Sequence, residues 1–308
     1  MTAPSPPRVP VLEPAGTAIV APSRPSLPAR VARRLVGVAT YAFALAVAAF
    51  WLLPTFGLFV ESLRDPKDIA ASGWWTAFVR PGQLTLVNYQ HLLANSDVLG
   101  SLWNTLLITV PATILMVAFG ALAGYALAWL DFRGRQLLFL VVVALIVVPV
   151  QIAIIPDAKI FRALHIYGTT TAVVAFHVAF GLPFAVFLLR NYFLGIPTDL
   201  VEAARVDGGA ELAIFVRVVL PMSRPAIAAL AVYQFVWVWN DLLVALVFAR
   251  PDSAPITYQL QAQMRTFSTN IDVIGPAAFL SMVVPLVVFF VLQRHFVKGA
   301  LADSMRAG

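Results

Sequence analysis

Two short stretches hold most of the side chains that could act on something. The first is "LVEAARVDGGAELAIFVRVVLP", Leu200 to Pro221, which gathers Glu202, Ala203, Ala204, Arg205, Asp207 and Gly208. These are residues for recognition rather than bond making. The alanines keep a helix slim on one side, and Glu202 and Arg205 give it exposed charge. Asp199 and Glu202, three apart, form a capping-box-like pair that starts the helix. Gly208–Gly209 stop it, because glycine readily adopts the left-handed C′ conformation. A second helix, Ala210 to Val219, is expected to end at Leu220–Pro221. Such a helix suits a cleft on another protein, and it equally suits an amphipathic helix lying on a membrane surface.

The second stretch is "AVYQFVWVWNDLLVAL". Tyr233, Trp237, Asn240 and Val244 recur at helical spacing and are expected on one face. Flat aromatic rings can cover the apolar faces of sugar rings, and an amide can bond hydroxyls. Asp241 lies inside an apolar span, where an ionisable group is costly and faces a cavity or a partner helix. Asn240 and Asp241 could equally pin this helix to a neighbour. Gln151, two residues after Pro149, is a further candidate for lining a path.

Other chemistries lack their parts. The chain has no cysteine, and its histidines, at 91, 165, 177 and 295, form no metal-binding spacing. His177 reads as a bonded structural histidine. There is no GxxxxGK[ST] loop to cradle ATP phosphates and no nucleophile–base constellation, so neither a nucleotide site nor an enzyme is expected.

The elements that must position these residues are membrane helices. The chain is 60% hydrophobic and 12% charged, about half the usual charged share. Its mean hydropathy is +0.86. Six spans are expected, at 35–60, 101–130, 137–157, 170–189, 226–249 and 274–293, each near the roughly 20 residues needed to cross. The fold class expected is therefore all-α integral membrane. The run from 35 follows Arg30, Arg33 and Arg34 and is too long for a signal peptide's apolar region, so it reads as a retained first helix. Residues 1–34 are proline-rich and read as a disordered tail; 35–297 form the helical domain, with the loop at 197–221; 298–308 form a second tail. Gly120 and Gly124, in "GALAG", would let another helix approach. With six spans both termini share a side. That side carries 14 of the 21 Lys and Arg residues, which marks it as cytoplasmic together with the loop. The net charge of +6 thus reports orientation rather than nucleic-acid binding.

"EAARVDGGAELAIFVRVVLP" resembles the EAA loop of bacterial ABC-importer permeases, with Glu202-Ala203-Ala204, Gly208 and Leu220-Pro221 in register. Val218 stands where the family usually has isoleucine, and Gly209 where carbohydrate-type members more often have alanine or serine. "LTLVNYQHLL", "SLWNTLLIT", "GYALAWLDFRGRQLL", "FGLPFAVFLLRNYFLGIP", "VWVWNDLLVALVF" and "VVPLVVFFVLQRHFVKG" also resemble segments of maltose-like permeases, in family order. The ending "ALADSMRAG" departs from the family's glycine-rich close. The resemblance implies a six-helix permease bundle in the bacterial inner membrane, with the loop's first helix seated on an ATPase. It implies a second homologous permease, two copies of an ABC ATPase that bind ATP and Mg, and an extracytoplasmic sugar-binding protein, with no cofactor bound by this chain. Segments 61–100 and 250–273 would receive the binding protein. The cargo implied is a sugar, an α-glucoside or other oligosaccharide; glycerol phosphate carriers share the fold. From another class, an ion-coupled secondary transporter would use Asp241 as its ion site.

Overall fold

The computed structural model describes the backbone of residues 27–265 and 271–306, and the side chains of 34–264 and 274–293. The proline-rich segment expected to be disordered falls mostly outside these residues, as do the side chains of His295 and of the C-terminal tail. The chain divides into two compact units, Met1–Pro54 and Thr55–Gly308. Helix α1 (Leu27–Ser62) includes the described part of the first unit.

In the larger unit, short helices α2 (Pro66–Ala71) and α3 (Val87–Ala94) flank two 3-10 turns. They are followed by α4 (Ser96–Trp129), α5 (Arg135–Ile146), α6 (Val150–Ala163) and α7 (Thr170–Leu194). The loop contributes α8 (Thr198–Val206), then α9 (Glu211–Ile214), a π turn (Phe215–Val219) and α10 (Leu220–Met222). The chain ends in α11 (Arg224–Trp239), α12 (Leu243–Phe248), α13 (Ile256–Arg265) and α14 (Ile271–Arg306).

Among the described residues, four helices are long and apolar enough to cross a membrane, at Arg34–Ser62, Ser96–Trp129, Thr170–Leu194 and Ile274–Gln293. They match four of the six expected spans. The others are not continuous helices. The third is broken between α5 and α6, which meet at 105°. Pro149 lacks an N–H, and helical backbone is disfavoured for the residue before a proline. The amides of Val147 and Val148 turn back instead to the carbonyls of Ala144 and Leu145, closing α5. The fifth stops at Trp239 and resumes as α12. A second sharp bend, of 78°, joins Glu211–Met222 to Arg224–Trp239.

The core of this unit is the pair α4 and α7. An added Cβ at Gly120 would lie 2.5 Å from Ala185 Cβ, and one at Gly124 3.1 Å from the Arg190 backbone nitrogen. Only glycine lets these backbones come so close. One apolar cluster gathers Met116, Tyr125, Leu189, Phe193, Val201, Phe215 and Leu230, tying the loop to the end of this pair. A second gathers Ile108, Phe161, Phe176, Val238 and Phe248. Trp239, fully buried, donates from Nε1 to Ser281 O at 2.8 Å and fastens α11 to α14.

Residues 61–88 are organised around Arg64, which is buried completely. Its guanidinium donates to Glu61 Oε2, Gln83 Oε1, the Ser72 and Asp68 carbonyls, and the Ser72 and Thr76 hydroxyls, at 2.7–3.2 Å. The Asn88 amide closes the knot from α3, donating to the Ser62 and Arg64 carbonyls. A buried charge is tolerable only with its donors satisfied in this way.

Candidate functional site

In the loop, α8 is built in part as expected and in part otherwise. Gly208 has φ +78°. Its amide bonds Arg205 O, and the Gly209 amide bonds Ala204 O, both at 3.0 Å. That is the Schellman arrangement, with glycine at C′. A Cβ on Gly209 would sit 2.8 Å from Ala204 O, so this turn is tight rather than loosened by its second glycine. Asp199 is not the N-cap. The helix begins two residues earlier, at Thr198, with Pro197 at the cap and Asp199 in the first turn, where its charge still favours the helix N-terminus. The second loop helix does not end at Leu220–Pro221 but continues to Met222. The π turn before it reshapes the ladder ahead of a proline that has no N–H to donate.

Arg205 does not point outward. Its Nε donates to Glu211 Oε1 at 2.8 Å, and its Nη2 to Trp129 O at 3.0 Å. The Tyr125 hydroxyl donates to the other Glu211 oxygen. Hydrogen bonding to the Glu211 carboxylate raises the Arg205 pKa above its ordinary value. Val201, fully buried, plugs the same region. The inner face of α8 is thus bolted to the end of α4. The outer face carries Asp199, Glu202, Ala203 and Val206, spaced at three and four residues and all exposed. Val206, at 86% exposure, is an apolar knob the sequence reading passed over. Asp207 is the C-cap and is exposed; Glu202 has no hydrogen-bond partner among the described residues.

Three arginines meet the last carbonyls of α4. Arg190 Nε donates to Leu127 O, Arg205 Nη2 to Trp129 O and Arg135 Nη1 to Leu130 O, at 3.0–3.1 Å. Cations at a helix C-terminus satisfy orphan carbonyls and complement the helix dipole. Arg190 also lies over the Phe139 ring, 3.8 Å from its centroid.

The second expected site forms around the break after α11. Tyr233, Trp237, Asn240 and Asp241 line one cavity of about 670 Å³ with Val232, Val236, Leu242 and Leu243. They do not do so as one helix face. Asn240 is the C-cap of α11, and its amide donates back to Val236 O at 2.8 Å. Asp241 then starts α12, its carboxylate accepting from the Val244 and Ala245 amides at 3.0 and 3.2 Å. Val244 is consequently buried in the second cluster, away from the cavity. Asp241 also pins its surroundings: Oδ2 lies 3.7 Å from His177 Nε2, and Thr257 donates to its carbonyl. Asp241 thus lines the cavity and also contacts neighbouring elements. Gln151 is exposed on the first turn of α6 and does not line this cavity. His177 is buried with its ring edge-on to Trp237, but it is not the bonded histidine expected: Nδ1 has no hydrogen-bond partner, and Nε2 lies 3.7 Å from the Asp241 carboxylate. Among the described residues no group of three or more His, Cys, Asp or Glu is placed to hold a metal.

Residues 116–301 match the family described as the binding-protein-dependent transport system inner membrane component. The chain belongs to this family. The permease is 47% identical over 268 residues to the osmoprotective compounds uptake permease protein GgtD of Synechocystis sp., covering 85% of this chain and 90% of that one. It is 33% identical to the α-glucoside transport system permease protein AglG of Rhizobium meliloti, over 86% of this chain and 96% of that one. Its fold is shared with a chain of a bacterial ABC transporter involved in the import of the acidic polysaccharide alginate, with a TM-score of 0.73 at 21% identity, covering 86% and 98% of the two chains. Family membership makes it a transport component rather than an enzyme, and removes the ion-coupled carrier from consideration.

Proposed function

We propose that this permease forms half of the pathway of an ATP-driven importer for a saccharide, with an α-glucoside-like glycoside as the favoured cargo. The observation that carries the coupling reading is the two-faced helix α8. One face is bolted to α4 through Arg205 and Glu211, and the other presents Asp199, Glu202, Ala203 and Val206 to a partner. A helix fixed from behind transmits displacement, whereas one floating on a membrane surface does not. The partner is a cytoplasmic ATPase, present as two copies with their ATP and Mg. The loop and both termini face the cytoplasm. A second homologous permease supplies the other half of the pathway. Residues 61–100 and 250–273, on the opposite side, receive a loaded binding protein. The saccharide reading draws on the named cargo of the Rhizobium relative. It draws also on a cavity that joins two aromatic rings with an amide and a carboxylate.

The test is co-purification of the tagged permease with its genomic neighbours in nanodiscs. The wild type is expected to bring down a second permease and an ATPase. Glu202→Lys, which reverses charge on the outer face without touching the bolted one, is expected to lose the ATPase and keep the second permease. Retention of the ATPase by the variant at wild-type yield would refute the docking role.

A further inference from the structure

Residues 65–83 leave the end of α1 and return to it. The Asp65 amide donates to Gln83 O at 2.9 Å, and a backbone bridge pairs Arg64 with Leu84, so both ends of this loop are held at one place. Its tip is the 3-10 turn Trp74–Phe78, followed by Val79 and Arg80. The tip is two-faced. Ala77 is buried, and the Thr76 hydroxyl accepts from Arg64 Nη2 at 3.2 Å. Trp75, Phe78 and Val79 stand 63%, 65% and 81% exposed. Apolar side chains grouped in this way are costly in water and mark a contact surface.

The rings fix the level at which this surface lies. Phe78 is stacked on Phe56 of α1 with 6.2 Å between ring centroids, and Trp74 stands edge-on to Phe56 at 6.1 Å. The Trp74 indole lies against the α1 backbone, since an added Cβ at Gly57 would come 2.8 Å from its Nε1. Phe56 belongs to the apolar stretch Arg34–Ser62, which is long enough to cross a membrane. It stands six residues before the end of that stretch, about 9 Å at 1.5 Å per residue. The tip therefore folds back along the helix to membrane depth instead of reaching away from it. The interfacial layer of a bilayer is roughly 5–8 Å thick on each side, so rings at this level meet the boundary between headgroups and hydrocarbon. A water-borne protein does not reach that level. Tryptophan suits it, with an apolar body and a polar N–H. Neither the Trp74 nor the Trp75 indole N–H has a hydrogen-bond partner among the described residues, whereas that of the buried Trp239 does. Arg80 is exposed and forms no ion pair among the described residues, and its charge complements phosphate. We infer that Trp74–Arg80 is a lipid anchor: its rings sit in the interfacial layer at the C-terminal end of α1, and Arg80 meets phospholipid phosphate. Arg64, which bonds Ser72 and Thr76, sets which way the rings face. The anchor holds residues 61–88 at a fixed height on the bilayer.

The test is site-specific photocross-linking of the full chain, expressed with its genomic neighbours. The photoreactive residue p-benzoylphenylalanine is introduced in place of Trp75 or, separately, Val79. The same replacement at Phe43, within the apolar stretch of α1, serves as the reference for lipid contact. Membranes are irradiated, the tagged permease is purified, and its intact mass is measured. Both tip variants are expected to gain the mass of one phospholipid, as the Phe43 variant does. A cross-link from either tip position to a second permease or to a binding protein would overturn the anchor. Tip variants that stay unmodified while the Phe43 variant takes up lipid would place the rings in water and overturn it equally. Should the variants fail to assemble or the reference take up no lipid, a cryo-EM map of the wild-type complex in lipid nanodiscs decides. Trp75 and Phe78 enclosed by the density of the disc support the anchor, and rings standing in solvent or covered by another subunit refute it.

Discussion

Arg205 joins three parts of the molecule: its own helix, Glu211 across the glycine turn, and the Trp129 carbonyl at the end of α4. Its pair with Glu211 is more than a third exposed on both sides, so its contribution to stability is small, below about 1 kcal/mol. Its value is geometric. Glu211 is held at once by Arg205 and by the Tyr125 hydroxyl, so α8, α9 and α4 shift together. Glu211→Gln removes the charge and keeps the shape. It should leave the melting temperature almost unchanged while lowering sugar transported per ATP hydrolysed about fivefold, the low end of ordinary coupling energies. Parallel measurement of uptake and phosphate release in proteoliposomes checks this. An unchanged ratio would return the pair to the role of a surface ion pair.

Among the elements, the α4–α7 pair depends on glycine in a way that the same residue elsewhere in α4 does not. Gly120 faces Ala185 at a distance that leaves no room for a Cβ, whereas Gly100 has nothing within 4 Å. Gly120→Ala should destabilise the solubilised protein by about 1–3 kcal/mol through overpacking. Gly100→Ala should be neutral or stabilise it by up to about 1 kcal/mol, because alanine is the better helix former. Thermal unfolding of the two variants side by side separates packing from propensity. The close approach at Gly120–Gly124 was legible as GxxxG spacing, and the uninterrupted helices were legible as apolar runs. The breaks were not. Hydropathy reads the same through Pro111, which stays within α4, and Pro149, which ends a helix, because the difference lies in which carbonyls the neighbouring amides find. The second break did leave a sign. Asn240-Asp241 ahead of an apolar run is a helix-start signature, and the Asp241 carboxylate, one residue ahead of the Leu242 cap, does accept from the Val244 and Ala245 amides. Reading that stretch as one helix face placed Val244 beside Tyr233, Trp237 and Asn240 instead of in the core.

Across the whole larger unit, α4 connects two distant sets of contacts. At one end Asn104 donates to the Asp252 and Ala254 carbonyls, and Thr105 accepts from the Ile256 amide. At the other are Tyr125, Trp129 and the arginines. About 25 residues separate the ends, roughly 38 Å of helix at 1.5 Å per residue. One stiff element therefore links the segment proposed to meet the binding protein with the loop proposed to meet the ATPase. Asn104→Leu should leave basal ATP hydrolysis intact and weaken its stimulation by loaded binding protein. Titration of the binding protein against ATPase rate reads this, and undiminished stimulation would show that the signal takes another route. The knot at Arg64 has a consequence of its own. Small secreted domains that lack a large apolar core are commonly stapled by disulfides, and this chain has no cysteine. A single guanidinium with six acceptors does the fastening instead. Such a fastening needs no oxidant to form and no isomerase to correct, and thiol reductants leave it untouched. It yields to a solute that imitates its own centre, the guanidinium ion.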